Sequence, residues 1–146
     1  MASPYRIVPS KNVALIRSLE DRIFGSDASY FEGPERGNFY WLVKRGAVPV
    51  GYCSVRPSVF DPTHTVFLSR SGVLHAARGK GLQRRMIRVR VAWARARRYK
   101  FAVTYCSTSN IWSARNLFTE GFQPWWPPDE VGPWAGEDVM YFRKML

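Results

Sequence analysis

The chain has 146 residues, a formal net charge of +11, and 46% apolar and 15% aromatic residues. That is about one domain's worth of chain, apolar enough to bury a core, and it excludes a disordered segment. No apolar run nears the ~20 residues of a membrane span, the opening MASPYRIVPSKN has no leader-like apolar core, and Cys53, Cys106, His64 and His75 fall at no metal-ligand spacing, so the expectation is a cytoplasmic chain with free thiols and no metal.

YRIV (Tyr5–Val8) reads as a short strand. Pro9 and Ser10 then offer a helix cap, and Val13, Ile16, Leu19 and Ile23 recur at helical spacing, which predicts a helix from Lys11 to about Phe24. GSDASYFEGPERGN reads as a loop with room for a short helical turn. FYWLVKRGAVPVGYCSVRP reads as a hairpin, with strands near Phe39–Lys44 and Val50–Arg56 joined around Arg45 and Gly46. THTVFLSRSGVLH is a longer strand whose interior Gly72 marks a bulge or a close approach by something else. Leu82, Met86, Val89, Trp93 and Ala96 make the apolar stripe of the next helix, with Arg84, Arg88, Arg95 and Arg98 largely on its other side. FAVTYC is a strand, NIWSARNLFTEGF a helix stopped by Gly121, Pro124–Gly136 a Pro- and Trp-rich loop, and VMYFRKML a closing strand. No repeat or linker divides this order, β-α-β-β-β-α-β-α-β. It predicts one α/β domain over residues 1–146, a mixed sheet with helices on both faces.

The charge is unevenly placed. From Pro62 to Thr119 there are twelve Lys and Arg and no acid, while the other residues hold ten basic and eleven acidic, so the whole excess lies in one block. Such a block points to an anionic partner. Within it lies the turn Arg78-Gly79-Lys80-Gly81-Leu82-Gln83, with a strand running in and a helix running out. The first turn of a helix leaves N–H groups unpaired, glycines let an anion reach them, and the helix dipole favours negative charge there. This chemistry suits a pyrophosphate.

The turn resembles the Arg/Gln-x-x-Gly-x-Gly/Ala signature of the GNAT family of N-acetyltransferases, with Gln83 where Gly or Ala is usual. Asn110, Ser113 and Gly121-Phe122 resemble a second family element, Asn-x-x-Ser/Ala followed by Gly-Phe. The helix LIRSLEDRIFG, the hairpin and the strand YFRKML are similar to the family's opening and closing elements, so the resemblance spans nearly the whole chain in order. It implies a GNAT-like central sheet of about seven strands, and acetyl-coenzyme A as cofactor, held through Gly72, Val73, Arg78, Gly79, Lys80, Gly81, Leu82, Gln83 and Asn110. It also implies direct acetyl transfer to an acceptor amine, with a backbone N–H at Gly72 and Val73 bonding the thioester carbonyl.

Many family members place a Tyr four residues before Gly-Phe as acid to the departing thiolate; Leu117 stands there, and Ser113 or Tyr105 is left for the role. Members often carry Glu on the bulged strand, where this chain has Ser69, Arg70 and Ser71. The candidate bases are then Asp61, Glu120, Glu32, Glu35, Asp129 and Glu130. Each feature also has a plain reading: Gly72 as a strand glycine, Asn110 as a helix cap, Ser113 as a small packing residue.

Coenzyme A phosphates occupy about three or four of the cations. That leaves Arg84, Arg88, Arg95 and Arg98 as either a solvated face or a track for a phosphate backbone. The track reading carries two alternatives, acyl modification of a nucleic-acid amine and a non-catalytic nucleic-acid-binding module on a degenerate GNAT fold. Trp125, Trp126 and Trp134 either stack an unpaired base, line an acceptor pocket or pack on the sheet. No membrane contact is expected, and monomer and homodimer both stay open.

Overall fold

The computed structural model describes residues 2–25, 31–136 and 138–146; the part of the loop expectation that falls on residues 26–30 lies outside them. Among the described residues there are seven strands: β1 (Tyr5–Ser10), β2 (Phe39–Arg45), β3 (Val48–Pro57), β4 (Thr65–Val73), β5 (Phe101–Ser107), β6 (Gln123–Pro124) and β7 (Val139–Met145). The helices are α1 (Val13–Phe24), α2 (Leu82–Ala96) and α3 (Ile111–Thr119). The strands form one mixed sheet in the order β1-β2-β3-β4-β5-β7-β6. The fold class is the one expected, and β6 is the strand that sequence reading left inside a loop. Only two residues long and holding Pro124, it has too little pattern to be seen. The chain clusters into two compact units, Met1–Arg56 with Ser69–Met86, and Pro57–Leu68 with Ile87–Leu146.

In the first unit, β1 pairs antiparallel with β2 from Tyr5↔Arg45 to Ser10↔Tyr40, so it runs past the expected Val8 and through Pro9. An edge strand tolerates that proline, since one side needs no N–H donor. The β2–β3 hairpin turns at Gly46, whose φ of +59 suits glycine. α1 begins one residue after Asn12, which caps it by accepting the Leu15 N–H at 3.1 Å; Ser10, the expected cap, accepts the Asn12 N–H instead. Ile16 and Leu19 are fully buried against Tyr40, Leu42 and Tyr52, each worth about 1.5–3 kcal/mol of burial. Glu20 lies beside this stripe and is fully buried too.

In the second unit, β4 and β5 run parallel, but their ladder holds just three rungs, Thr65↔Phe101 to Phe67↔Val103. The Thr104 hydroxyl donates to the Leu68 carbonyl at 3.0 Å where the ladder stops. β5 pairs along its full length with β7 from Phe101↔Met145 to Ser107↔Val139. Asn110 caps α3 by accepting the Ser113 N–H at 3.1 Å, and Gly121 beyond its end takes φ +88.

α2 corrects the expected stripe. Its buried residues are Leu82, Met86, Ile87, Arg90, Val91 and Ala94, whereas Val89 and Trp93 are half-buried and Ala96 is exposed. The stripe is rotated by about one residue, and it includes an arginine. Arg98 lies beyond the helix altogether, in a turn with φ +64.

Candidate active site

The turn before α2 has the local geometry the motif requires. Gly79 and Gly81 take φ of +74 and +73, and at neither does any atom lie within 4 Å of where a Cβ would stand. These are left-handed positions facing open space, a conformation that favours glycine. The Arg78 N–H is already bonded to the His75 carbonyl at 3.1 Å, so the amides that can meet an anion start at Gly79. Among the described residues, the N–H groups of Gly79, Lys80, Gly81, Leu82 and Gln83 meet no protein acceptor. Arg78 and Lys80 are exposed, Leu82 is buried as the first anchor of the helix, and no acid stands in the first helical turn. A coenzyme pyrophosphate fits these donors in sign, number and access.

Gln83, the irregular position of the motif, turns back to the sheet: its Oε1 accepts from the Ser71 hydroxyl at 3.2 Å. It therefore binds β4 rather than filling the turn. Its side chain is drawn aside from the turn.

On β4 the close approach at Gly72 comes from the protein itself. A Cβ there would lie 2.8 Å from Ile23 Cγ2 and 2.8 Å from Phe24 Cζ, so the glycine admits the end of α1. The plain packing reason accounts for the missing side chain, while the backbone at Gly72 and Val73, both buried, keeps whatever polar role it has. Arg70, on the same face two residues earlier, reaches α1 as well. Its Nε and Nη2 donate to the two oxygens of Glu20 at 3.1 and 3.0 Å, and its guanidinium lies 3.7 Å from the centre of the Phe24 ring. The Tyr52 hydroxyl also donates to Glu20 at 2.5 Å. Burial, then that bond, push the Tyr52 phenol far above its ordinary value. On the opposite face, Ser69 donates to Asn38 Oδ1 at 2.7 Å and lies 2.7 Å from the Ser54 hydroxyl.

The candidate acids lie in the second unit. Ser113 is half-buried on the first turn of α3; its N–H goes to Asn110, and its hydroxyl meets no partner among the described residues. Tyr105 on β5 stacks on Phe67 at 5.7 Å and meets Trp134 at 6.3 Å, with 39% of its surface exposed. Leu117, at the family's tyrosine position, is buried and offers no proton. The three loop tryptophans join this aromatic cluster: Trp134 lies 4.6 Å from Tyr141, Trp126 5.6 Å from Tyr141, and Trp125 5.8 Å from Phe60.

Three of the six carboxylates proposed as bases from sequence are otherwise engaged. Glu32 receives both bonds of the Arg56 Nε at 2.8 Å, Asp61 is held by Thr65 at 2.9 Å and His64 at 3.2 Å, and Glu120 by Arg88 at 2.6 Å. The last pair gives one of the four arginines after the turn an acid, and the bond to Glu120 raises the Arg88 guanidinium further in basicity. Glu20 was missed from sequence, since a helical stripe read for apolar residues passes over it. Both cysteines are buried, and burial pushes the Cys106 thiol up. Among the described residues no helix is long and apolar enough to cross a membrane, and no cluster of metal-ligating side chains occurs.

A sequence search against curated proteins finds no match. Solved structures do match. An acetyltransferase-fold protein, yncA of Salmonella typhimurium, solved with its cofactor acetyl-CoA, superposes with a TM-score of 0.72 at 20% identity over 98% of this chain and 94% of its own. A GNAT family acetyltransferase of Elizabethkingia anophelis with acetyl-CoA bound gives 0.71 at 13% identity, covering 99% and 100%. The ribosomal-protein-S5-alanine acetyltransferase of Vibrio fischeri gives 0.74 at 18%, covering 99% and 94%. Likeness at these identities shows a shared fold. The sequence profile of the acetyltransferase (GNAT) family adds what the superpositions lack, for it matches residues 11–130. Turn, sheet and profile agree over most of the chain, and the chain belongs to the acetyltransferase (GNAT) family.

Proposed function

We propose that the chain transfers an acetyl group from acetyl-coenzyme A directly to an acceptor amine. The observation that carries this reading is the open left-handed pair, Gly79 and Gly81, whose neighbouring amides meet no protein acceptor. Those amides, with Arg78 and Lys80, hold the pyrophosphate, and the backbone of Gly72 and Val73 receives the acyl carbonyl. The coenzyme supplies acetyl activated as a thioester. Ser113 is the better proton donor to the departing sulfur, since its hydroxyl is uncommitted among the described residues while the Tyr105 ring is packed among aromatics. Asn110 spends its Oδ1 on the α3 cap, which orients Ser113.

The acceptor must attack as a neutral amine. Glu20, Glu32, Asp61 and Glu120 are tied up by hydrogen bonds, so none of the four is poised as a base.

The test combines binding and transfer. Millimolar acetyl-coenzyme A raises the melting temperature by mass action, and radiolabelled acetyl moves to an amine in a panel of small and macromolecular acceptors. Ser113→Ala lowers kcat by about tenfold to a thousandfold with the melting shift intact, whereas Tyr105→Phe lowers it less. A protein whose melting is unmoved by acetyl-coenzyme A would sink the reading.

A further inference from the structure

We propose that the side-chain amide of Gln83, held by the Ser71 hydroxyl, hydrogen-bonds an amide carbonyl of the pantetheine arm and so makes the site select coenzyme A over other nucleoside diphosphates. The inference rests on the acetyltransferase reading and names what sets specificity in its donor site. Both residues lie in the first compact unit, twelve positions apart. The Ser71 hydroxyl donates to Gln83 Oε1 at 3.2 Å, and this bond fixes which way the amide faces. Its oxygen is engaged by β4, and its Nε2, with two N–H donors, points away from Ser71. Among the described residues that Nε2 meets no protein acceptor, and both side chains are half-buried. A sheltered donor with no protein partner gains from a ligand carbonyl, and one already oriented loses less entropy in meeting it.

The placement says which carbonyl. Ser71 immediately precedes Gly72, whose backbone takes the acyl end, and Gln83 follows closely on Gly81, whose amide belongs to the pyrophosphate cradle. A coenzyme that fills both ends must lay its pantetheine arm between them. That arm is uncharged, and its amide carbonyls are acceptors matched to a neutral N–H donor.

The rest of the turn cannot tell one pyrophosphate from another. Open backbone amides, Arg78, Lys80 and a net charge of +11 attract any of them. Nucleotides that share the phosphates and lack the arm compete there on equal terms. Discrimination has to come from a group that meets the arm alone, because a site built to hydrogen-bond a ligand group disfavours the analogue without it. Gln83 stands where the family signature has Gly or Ala, and neither of those side chains offers a donor. The departure from the motif is the source of the contact.

Isothermal titration of the full chain compares coenzyme A with 3′-phospho-ADP, which keeps every phosphate and lacks the arm. Gln83→Met, of similar length and without the donor, weakens coenzyme A by about threefold to tenfold and leaves 3′-phospho-ADP within about twofold. Ser71→Ala, which frees the amide to rotate, weakens coenzyme A in the same selective way, while Ser71→Thr keeps the hydroxyl and the affinity. Ser71→Ala combined with Gln83→Met loses no more than Gln83→Met alone, since both act through one contact. Retained binding of 3′-phospho-ADP shows that each variant is folded. Unchanged coenzyme A affinity in Gln83→Met, or an equal loss for both ligands, would overturn the proposal. A chain that binds neither ligand sinks the acetyltransferase reading and this inference together, whereas selective coenzyme A binding without acetyl transfer sinks the transfer reading alone.

Discussion

Glu20 has no solvent exposure and answers to two partners, the Tyr52 hydroxyl and the Arg70 guanidinium. Breaking such a pair from one side leaves a charge without its counterpart, so Glu20→Ala should cost about 3–5 kcal/mol in urea denaturation. Tyr52→Phe, which leaves the ion pair standing, should cost about 1–3 kcal/mol. Tyr40 gives a pH dependence. Burial, then the charges of Glu35 and Glu32, push its phenol up to about 12. Raised in the folded state, it keeps its proton while the unfolded chain loses one near pH ~10. Stability is therefore whole below pH ~10 and falls as the pH climbs to about 12. Tyr40→Phe should flatten that decline in melts taken across the interval. None of this was legible in the sequence. Glu20 and Arg70 stand fifty positions apart, and only the packing of α1 on β4 makes them neighbours. Gln83 was legible as an irregularity, but its partner Ser71 was not, because a side-chain bond between strand and helix leaves no periodicity behind.

At the scale of elements, the two glycines of the motif region separate space from conformation. Gly72 has no room, with Ile23 and Phe24 at 2.8 Å from a would-be Cβ. Gly72→Ala should lower stability by about 1–3 kcal/mol while the folded fraction binds acetyl-coenzyme A normally. Gly81 has room but sits at φ +73. Gly81→Ala should cost about 1–2 kcal/mol in strain and weaken acetyl-coenzyme A, as thermal melts and isothermal titration together would show. The strand-turn-helix order was legible because β4, the turn and α2 each obey a local rule. The inward face of α2 was not. Arg90, which a count of apolar residues passes over, lies buried, so that count pointed at Val89 and Trp93 instead. β1 ran longer than its alternation because a sheet edge forgave Pro9.

For the whole molecule, the fold could be read from a few weak motifs in register, while the pairing of its charges could not. Arg88 closes on Glu120, and the stretch from Asn116 to Phe142 is acidic. Added salt should raise the KM for acetyl-coenzyme A, an anion drawn in by the net field of +11. Steady-state kinetics from about 0.05 to 0.5 M salt would show the rise. One bond reaches further than its size suggests. By joining Ser71 to Gln83, the protein ties the strand beside the proposed acyl grip to the turn of the proposed phosphate grip. A thioester whose arm is a few bonds shorter or longer should then fill one grip at the expense of the other, and its KM should exceed that of acetyl-coenzyme A.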